Sequence, residues 1–408
     1  MTEYYRRDIV SLLLQALRDM PVVVISGMRQ TGKTTLLRRQ EELQDRAFVT
    51  FDDFAHLEAA RNDPDGFVQM NTALTIDEAH KCPEILTSIK KAVDQERIPG
   101  RFLLSGSANL SILKGISESL AGRSIYFVLH PFTRREIGGE THSPSFLKGF
   151  FEEPRTPENK DFRPIIPEDV LLGGMPAVCL GEVSRPDFWF KGYEQTYMER
   201  DIREISQVGD LMAIRNLIRL AALRTGQVLN LSQIGRDAKM NTVTTGRYLS
   251  LFETSFLIYR LTPYLRNRAS RLTKSPKLYL SDAGIAAFLA GVAGGSASTE
   301  DPFWGALFET YVAQNLLGIS DSTWPEARLH YWSVQGRHEV DFIVEAGRRC
   351  MAIETKWGPR WDERDLSGLR AFLAATPHCH AAVLANNGSD SARLGDKLWV
   401  LPVSVLLS

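Results

Sequence analysis

The chain has 408 residues, of which 44% are hydrophobic and 24% charged, and its 48 Lys and Arg nearly balance its 49 Asp and Glu. This composition excludes collagen-like, low-complexity and wholly disordered chains, and the net charge of -1 excludes a globally basic nucleic-acid binder. At roughly 150 residues per domain, the length predicts two or three domains. The scattered cysteines, the lack of a secretory signal pattern and the lack of an apolar run of membrane-spanning length predict a cytoplasmic protein without membrane contact.

The first strong pattern is a phosphate-binding loop. The β-branched run 22–25 is typical of a parallel strand buried on both faces, and a helical pattern begins after the loop. Between them lies a match to G-x-x-x-x-G-K-[ST], in which backbone N–H groups and a lysine contact phosphates and a hydroxyl contacts Mg²⁺. We predict an ATP site made of Gly27, Met28, Arg29, Gln30, Thr31, Gly32, Lys33, Thr34 and Thr35, with Lys33 catalytic and Thr34 on Mg²⁺.

A second strand-like run, 73–76, ends in two adjacent carboxylates, Asp77 and Glu78. Nucleotide hydrolases place one acidic residue at a strand end to hold the Mg²⁺ shell and use another group to orient or deprotonate the attacking water. We predict these roles for Asp77 and Glu78, respectively. The alternative is an acidic helix start on a surface loop.

Two further strands are predicted at 102–104 and 125–129. Polar side chains at the end of the first of them are placed to sense the γ-phosphate. Arg123, just before the second, is a candidate to stabilise developing phosphate charge in its own or a neighbouring subunit. The alternative for Arg123 is a solvated turn residue.

The loop, the acidic pair, Leu-Ala-Gly-Arg at 120–123 and His-Pro-Phe at 130–132 resemble an AAA-type ATPase. The family is that of bacterial and archaeal ATPases that end in a restriction-nuclease-like domain, and the resemblance covers nearly the whole chain. It implies a five-stranded parallel sheet between helices, a Mg-ATP cofactor and the capacity to form a homo-oligomer. The family-typical Asn does not follow Leu104, so Ser105, Ser107 and Asn109 are alternatives for the first sensor.

The middle of the chain predicts a connecting region followed by a winged helix-turn-helix. Within 138–205, residues 138–167 hold Gly, Pro and mixed charge without a clear period, and helical spacing returns at 186–201. Three short helical patterns follow at 211–223, 231–238 and 242–256, and the last two are joined by a three-residue turn, as in a helix-turn-helix.

A local basic stripe follows these helices. It contains no acidic residue, and its members are Arg260, Arg266, Arg268, Arg271, Lys274 and Lys277. Clustered cations gain affinity for DNA by releasing its counterions, so the stripe predicts contact with DNA phosphates. The alternative is a winged-helix fold used only for packing or oligomer contacts.

The last part of the chain predicts a carboxylate cluster. Glu309 lies on the apolar stripe of a predicted helix and so needs a partner or a metal. Two strands around Gly347 are predicted to form an antiparallel hairpin centred between residues 347 and 348. The residue numbers of facing residues then add up to 695, so Asp341 stands opposite Glu354. Opposed like charges destabilise a sheet, so this pair predicts a cation, with Lys356 on the same face to activate water.

Asp341 and the Glu354-Thr355-Lys356 run, preceded by Glu309, resemble the restriction-endonuclease-like superfamily written PD-(D/E)XK, although Val340 replaces the Pro. The resemblance implies Mg²⁺ or Mn²⁺ bound by Glu309, Asp341 and Glu354, and phosphodiester hydrolysis with these groups and Lys356 catalytic. The alternatives are a surface hairpin with a salt-bridged lysine and an inactive nuclease fold kept for binding.

Together these patterns predict an α/β protein that hydrolyses Mg-ATP, acts on DNA and carries a metal-dependent nuclease module. The alternative function is a nucleotide-gated protein-interaction switch in which the nuclease-like fold is an inactive platform. The predicted domains are an AAA-type P-loop ATPase at 1–137, a helical connecting or lid region at 138–205, a winged helix-turn-helix at 206–289, and an α/β restriction-endonuclease-like domain at 300–408.

Overall fold

We analysed a computed structural model of the chain, which describes residues 4–106, 120–157, 163–197, 211–265, 267–292, 299, 301–334 and 337–408. The described strands form sheets of five, three and six strands. The four cysteines are free thiols. Within this part of the chain, no helix is both long and apolar enough to cross a membrane.

The five-stranded sheet is built from the first 128 residues, and its order is β2-β3-β4-β1-β5 with every neighbouring pair parallel. Successive residues of one strand enter different cores: Val22 and Val24 pack with α5, whereas Val23 and Ile25 pack with α1 and α2. Helices therefore cover both faces, and the predicted parallel sheet is confirmed. The elements are α1 Val10–Asp19, β1 Val22–Ser26, α2 Lys33–Arg39, β2 Ala47–Thr50, α3 Phe54–Asn62, α4 Pro64–Gln69, β3 Leu74–Asp77, α5 Ile85–Gln95, β4 Phe102–Ser105 and β5 Ser124–Val128.

Short helices follow the first sheet, and they are part of the main core. Phe150 and Phe151 are buried, and they make edge contacts with Trp399 and Trp324 near the end of the chain. The region predicted as a connector is thus packed, because its aromatic residues recur at helical spacing and bury one face. Its helices are α6 Arg134–Ile137, α7 Phe146–Glu152, α8 Pro167–Leu172, α9 Pro176–Cys179 and α10 Pro186–Thr196.

The middle module is a helical unit with a small antiparallel sheet of order β6-β8-β7. Its two central helices begin at asparagine caps: the Asn230 side chain accepts a hydrogen bond from Gln233 N, and the Asn241 side chain accepts one from Thr244 N. The helices agree with the predicted ones to within two residues. The elements are α11 Leu211–Leu223, β6 Gln227–Val228, α12 Leu231–Asp237, α13 Thr242–Thr254, β7 Ile258–Leu261, α14 Arg268–Thr273, β8 Lys277–Leu280 and α15 Ala283–Leu289.

The last module is a six-stranded mixed sheet of order β13-β14-β12-β11-β10-β9, with a helix packed on each face. Its β10–β11 hairpin pairs Phe342 with Ile353 and Ala346 with Arg349, so the predicted register is correct. The elements are α16 Phe303–Thr323, β9 Arg328–Val334, β10 His338–Ala346, β11 Arg349–Lys356, α17 Ser367–Ala375, β12 Cys379–Asn386, β13 Ala392–Arg393, β14 Leu398–Pro402 and α18 Val403–Leu406.

Candidate functional site

The phosphate loop joins β1 to α2 and has the backbone shape that its glycines allow. Gly27 has φ +142°, and a Cβ there would lie 2.4 Å from the carbonyl oxygen of Leu129. Gly32 has φ +91° immediately before the helix starts at Lys33. Only glycine tolerates the close approach at residue 27, so the first glycine of the motif is required by packing as well as by the turn.

Lys33 is buried and folded back on its own loop. Its Nζ donates to the carbonyl oxygens of Gly27 at 3.0 Å and Met28 at 2.6 Å. These carbonyl bonds hold the ammonium at the mouth of the loop, where a phosphate group would supply stronger anionic acceptors.

Thr34 and Asp77 meet across the sheet edge. The Thr34 hydroxyl donates to Asp77 Oδ2 at 2.8 Å, and the Ser105 hydroxyl donates to the other carboxylate oxygen. A hydroxyl next to a buried carboxylate is the kind of oxygen donor set that Mg²⁺ takes in nucleotide sites, so these residues fit the ion. The structure thus brings together two residues predicted 43 positions apart.

Glu78 adopts a left-handed backbone conformation with φ +55°, which turns it away from β3. Its Oε2 lies 2.9 Å from Nδ1 of His80. Burial raises the pKa of Glu78, but the contact with His80 and the charges of Lys33 and Arg29 outweigh it, so the net pKa lies below the usual value. The carboxylate is therefore ionised at neutral pH, as a base or a water-orienting group requires.

These groups open into a cavity of about 840 Å³ whose lining includes Lys33, Thr34 and Glu78. This volume is in the range of small-molecule and cofactor sites. The motif did not predict the aromatic and apolar part of the wall, which comes from the N-terminal segment and the helices after the sheet. Its members are Tyr4, Tyr5, Phe132, Pro176, Ala177, Leu180 and Trp189. No sequence signal identifies them, because they converge only in the folded chain.

Arg7 ties the phosphate loop to the segment after β5. Its guanidinium donates to the carbonyl oxygens of Thr31 at 3.0 Å and His130 at 2.7 Å, and it pairs with buried Glu136. The sequence did not predict Arg7 as a site residue, although an Arg-Asp pair stands just before α1.

His130 in turn contacts both downstream modules. Its Nδ1 is 2.6 Å from the Tyr259 hydroxyl on β7, and its Nε2 is 2.7 Å from Asp321 Oδ2 on α16. A chain of hydrogen bonds therefore connects the phosphate loop, through Arg7 and His130, to the middle and last modules.

The predicted carboxylate cluster is assembled around a lysine from the middle module. Lys277 Nζ lies 2.7 Å from Glu309 Oε1, 2.6 Å from Glu339 Oε1 and 3.6 Å from Asp341 Oδ1. The other Asp341 oxygen accepts hydrogen bonds from the backbone N and the hydroxyl of Thr355, both at 2.8 Å.

Glu354 stands apart from that lysine. Its Oε1 accepts from Lys356 Nζ at 3.0 Å, and its Oε2 is buried without a hydrogen-bond partner. Burial and the Asp341 charge raise the pKa of Glu354 to about 8 against the opposing effect of Lys356. Burial and the Asp341 charge likewise raise the pKa of Glu309 to about 7, against Lys277.

These raised pKa values predict that part of the stability is lost as pH rises. A carboxyl group whose pKa is higher in the folded chain stabilises the fold fully below its unfolded pKa and loses that contribution as pH rises through the folded value. We expect the free energy of unfolding to fall between about pH 4.5 and pH 8 through Glu354, by a few kcal/mol, since one pKa unit is about 1.4 kcal/mol. In urea denaturation followed by tryptophan fluorescence, the Glu354→Gln variant should lose the Glu354 contribution and keep the smaller slope that comes from Glu309.

The control for this measurement is Asp396→Asn, which removes a fully exposed carboxylate of the same module. It should keep the wild-type slope. An unchanged slope in Glu354→Gln would contradict the assigned burial of the Glu354 carboxyl.

The first module matches a known domain family. The family described as "AAA domain" matches residues 19–138, which contain the whole parallel sheet and the phosphate loop. This region is similar to the AAA domain family. Two families described as domains of unknown function, DUF8612 and DUF4143, match residues 164–296 and 304–406.

Similar whole chains are known, but their names state no activity. An uncharacterized protein of Mycobacterium tuberculosis is 29% identical over 353 residues, covering 86% of this chain and 74% of the relative. An uncharacterized protein of Haemophilus influenzae is 22% identical over 284 residues, covering 65% of this chain and 68% of the relative.

Solved structures overlap only loosely. The Walker-type ATPase of Pyrococcus abyssi is 16% identical, and the overlap covers 70% of this chain and 96% of that chain, with a TM-score of 0.42. RuvB of Thermotoga maritima is 14% identical, covering 65% of this chain and 94% of that chain, with a TM-score of 0.29. The similarity to an AAA domain rests on the family match over residues 19–138.

Within the ATPase domain, Arg123 lies far from the phosphate loop. It precedes β5, at the edge where the parallel strands begin, whereas the loop follows the end of β1. Its guanidinium forms a salt bridge with Asp94. Arg123 therefore cannot reach the nucleotide site of its own chain, which corrects that part of the prediction.

Of the sensor candidates in the ATPase domain, Ser105 contacts Asp77 directly. Ser107 and Asn109 lie outside the described residues. The contact of Ser105 with the acidic strand end makes it the sensor candidate that the geometry favours.

The predicted basic stripe is largely not a free cationic surface. Arg260 pairs with Glu253, Arg271 is buried against Glu345, and Lys277 is buried among carboxylates. The partners of Arg271 and Lys277 come from the last module, whereas Glu253 lies on α13, only seven residues before Arg260. Lys274 is exposed, and Arg266 and the Arg268 side chain lie outside the described residues.

The divalent-metal prediction for the carboxylate cluster is also not matched by the geometry. Among the residues that the structure describes, no group of three or more His, Cys, Asp and Glu side chains is placed to hold a metal ion. The cation beside Glu309 and Asp341 is the Lys277 ammonium, and Glu354 pairs with Lys356. As they stand, these carboxylates do not fit Mg²⁺ or Mn²⁺.

Proposed function

We propose that the protein hydrolyses Mg-ATP at the phosphate loop. The contact that carries this proposal is the 2.8 Å hydrogen bond between Thr34 and Asp77, because it joins the loop to the acidic strand end in one oxygen site. Bound Mg²⁺ would neutralise charge on the phosphates. Lys33 would bind the phosphates, Thr34 and Asp77 would hold the ion, and ionised Glu78 would orient the attacking water and accept its proton.

The direct test is ATP binding and phosphate release by the full chain with and without Mg²⁺. Turnover that is lost on chelation supports the proposal. A chain that binds no ATP analogue would contradict it.

We propose a winged-helix fold for the middle module and a restriction-endonuclease-like fold for the last one. The support for the first is the order of helix, short strand, two helices and a pair of antiparallel strands between Leu211 and Leu280. The support for the second is the helix bearing Glu309, followed by the hairpin that carries Asp341 and Glu354.

We further propose that the protein acts on DNA, through the helix pair α12–α13 and not through the predicted stripe. Arg236, Lys239 and Arg247 are exposed on these helices and the turn between them. Exposed cations on a helix pair and its turn are suited to contact backbone phosphates. Nicking of DNA by the last module is a separate proposal, and it requires that a divalent ion gain access to the carboxylates that Lys277 now contacts. Plasmid relaxation with Mn²⁺ tests it, with the Glu354→Gln variant as control.

The DNA proposal predicts a salt-dependent affinity that these cations control. Replacing Arg236 and Arg247 with Ala should weaken duplex binding by about tenfold or more and reduce the slope of log affinity against log salt by about 2, since each phosphate contact contributes about 0.9. Fluorescence anisotropy measures both quantities. The control Arg260→Ala removes an arginine already paired with Glu253 and should leave the slope unchanged.

A homo-oligomer is proposed as the setting in which Arg123 acts. Its position at the far edge of the sheet leaves a neighbouring subunit's nucleotide as the only one it can serve. Light scattering with and without an ATP analogue tests whether nucleotide promotes assembly.

The second candidate function is a nucleotide-gated protein-interaction switch with an inactive nuclease-like platform. Two observations favour it: the pairing of Lys277 with the carboxylates, and the contacts of His130 with both downstream modules. DNA affinity without salt dependence, together with partner binding that changes with nucleotide, would favour the switch over action on DNA.

A further inference from the structure

The carboxylate cluster receives its cation from another module. Lys277 is the first residue of β8, in the three-stranded sheet, and it pairs in register with Leu261 and Val228 of the flanking strands. From there its side chain enters the last module, where only 3% of it is exposed. The ammonium is thus held by the fold of one module and surrounded by the charges of another.

The Lys277 ammonium contacts the carboxylate oxygens that a metal ion would need as ligands. Its shortest contacts, 2.6 and 2.7 Å, are to Glu339 and Glu309, and Asp341 lies 3.6 Å away. The Tyr279 hydroxyl donates to the same Glu309 oxygen. Mg²⁺ and Mn²⁺ bind through freely available oxygen ligands, and a fixed ammonium beside those ligands repels a divalent ion.

We propose that Lys277 is an intramolecular blocker of the nuclease-like cluster: its ammonium takes the place of a divalent cation between Glu309 and Asp341 and keeps the cluster free of metal. The inference rests on the restriction-endonuclease-like fold proposed above. With Lys277 as the blocker, a divalent ion binds the carboxylate cluster only after β8 has moved Lys277 out of the last module.

The blocker lies on a sheet that contacts the ATPase domain. Tyr259 on β7 pairs with Tyr279 on β8 in the sheet, and the Tyr259 hydroxyl is hydrogen-bonded to His130. Arg7 joins the His130 carbonyl to the carbonyl of Thr31 in the phosphate loop. The nucleotide site therefore has a continuous physical connection to the strand that carries the blocker.

Manganese binding to the nucleotide-free full chain tests the proposal. Electron paramagnetic resonance measures the concentration of free Mn²⁺. We expect Lys277→Met to bind one Mn²⁺ at the carboxylate cluster at least tenfold more tightly than the wild type binds Mn²⁺ there. Lys274→Met removes an exposed lysine three positions away and should behave as the wild type. Adding Asp341→Asn to Lys277→Met should abolish the new binding.

A second variant keeps the proposal testable if Lys277→Met does not fold. Lys277→Met leaves Glu309 without its ion-pair partner, whereas Lys277→Met with Glu309→Gln removes both partners and leaves Asp341 and Glu354 as ligands. We expect this folded double variant also to gain Mn²⁺ binding. If either variant is folded by circular dichroism and gains no Mn²⁺ binding, the blocker is refuted.

DNA nicking separates this proposal from the nuclease function. A variant that gains Mn²⁺ binding without nicking supports the blocker and contradicts the nuclease. A variant that gains both supports the blocker and the nuclease together.

Discussion

Replacing Lys33 with Ala is expected to lower ATP turnover by about 100-fold or more, the usual loss when one preorganised charge-stabilising donor is removed from a catalytic site. The ammonium lies at the mouth of the phosphate loop on the carbonyls of Gly27 and Met28. Removing it takes away a positive charge aimed at the phosphates but leaves the glycine turn intact. Phosphate release and binding of a fluorescent ATP analogue measure the effect.

The matched control is Lys91→Ala, which removes a largely exposed lysine from α5 of the same domain. Its turnover should equal that of the wild type. If Lys33→Ala turns over ATP normally while its thermal unfolding is also unchanged, the loop is not the hydrolytic site.

Replacing Glu78 with Gln is expected to preserve ATP binding and lower turnover by about 100- to 10,000-fold, the range typical of a general base. Glutamine has nearly the same shape but cannot accept a proton from water. Calorimetric titration of ATP and single-turnover phosphate release would separate the two effects. A variant that loses binding and turnover equally would show that Glu78 supports the site only structurally.

The pH profile adds a second measurement for Glu78. Because its pKa lies below the usual value, activity should be lost through this group only as pH falls below about 4.3, the ordinary glutamate pKa. Glu84→Gln removes an exposed carboxylate six positions later and is the control. A turnover limb near neutral pH that disappears in Glu78→Gln would contradict the low pKa.

Local patterns were sufficient for the first sheet and the phosphate loop. The run at Val22 is apolar at every position because a parallel strand buries both faces, and the loop residues are consecutive in the chain. The hairpin register around Gly347 was likewise predictable, since a tight turn determines which residues face each other. These features depend on neighbours in sequence.

Partners from distant segments were not predictable in the same way. Arg271 and Lys277 appeared to belong to a basic stripe because their partners Glu345 and Glu309 lie in the last module and could not be assigned from spacing. Arg123 had the right chemistry, but the direction of β5 places it at the wrong edge for its own chain.

By itself, the sequence determined the phosphate loop, the acidic pair at the end of β3 and the carboxylates of the last module, because each depends on residue type and short-range spacing. The tertiary structure decided how those groups are paired. Only folding brings Lys277 of the middle module to Glu309 and Asp341, and Arg7 to the phosphate loop. Charge–charge energies depend on distance and burial, and neither can be read from positions along the chain.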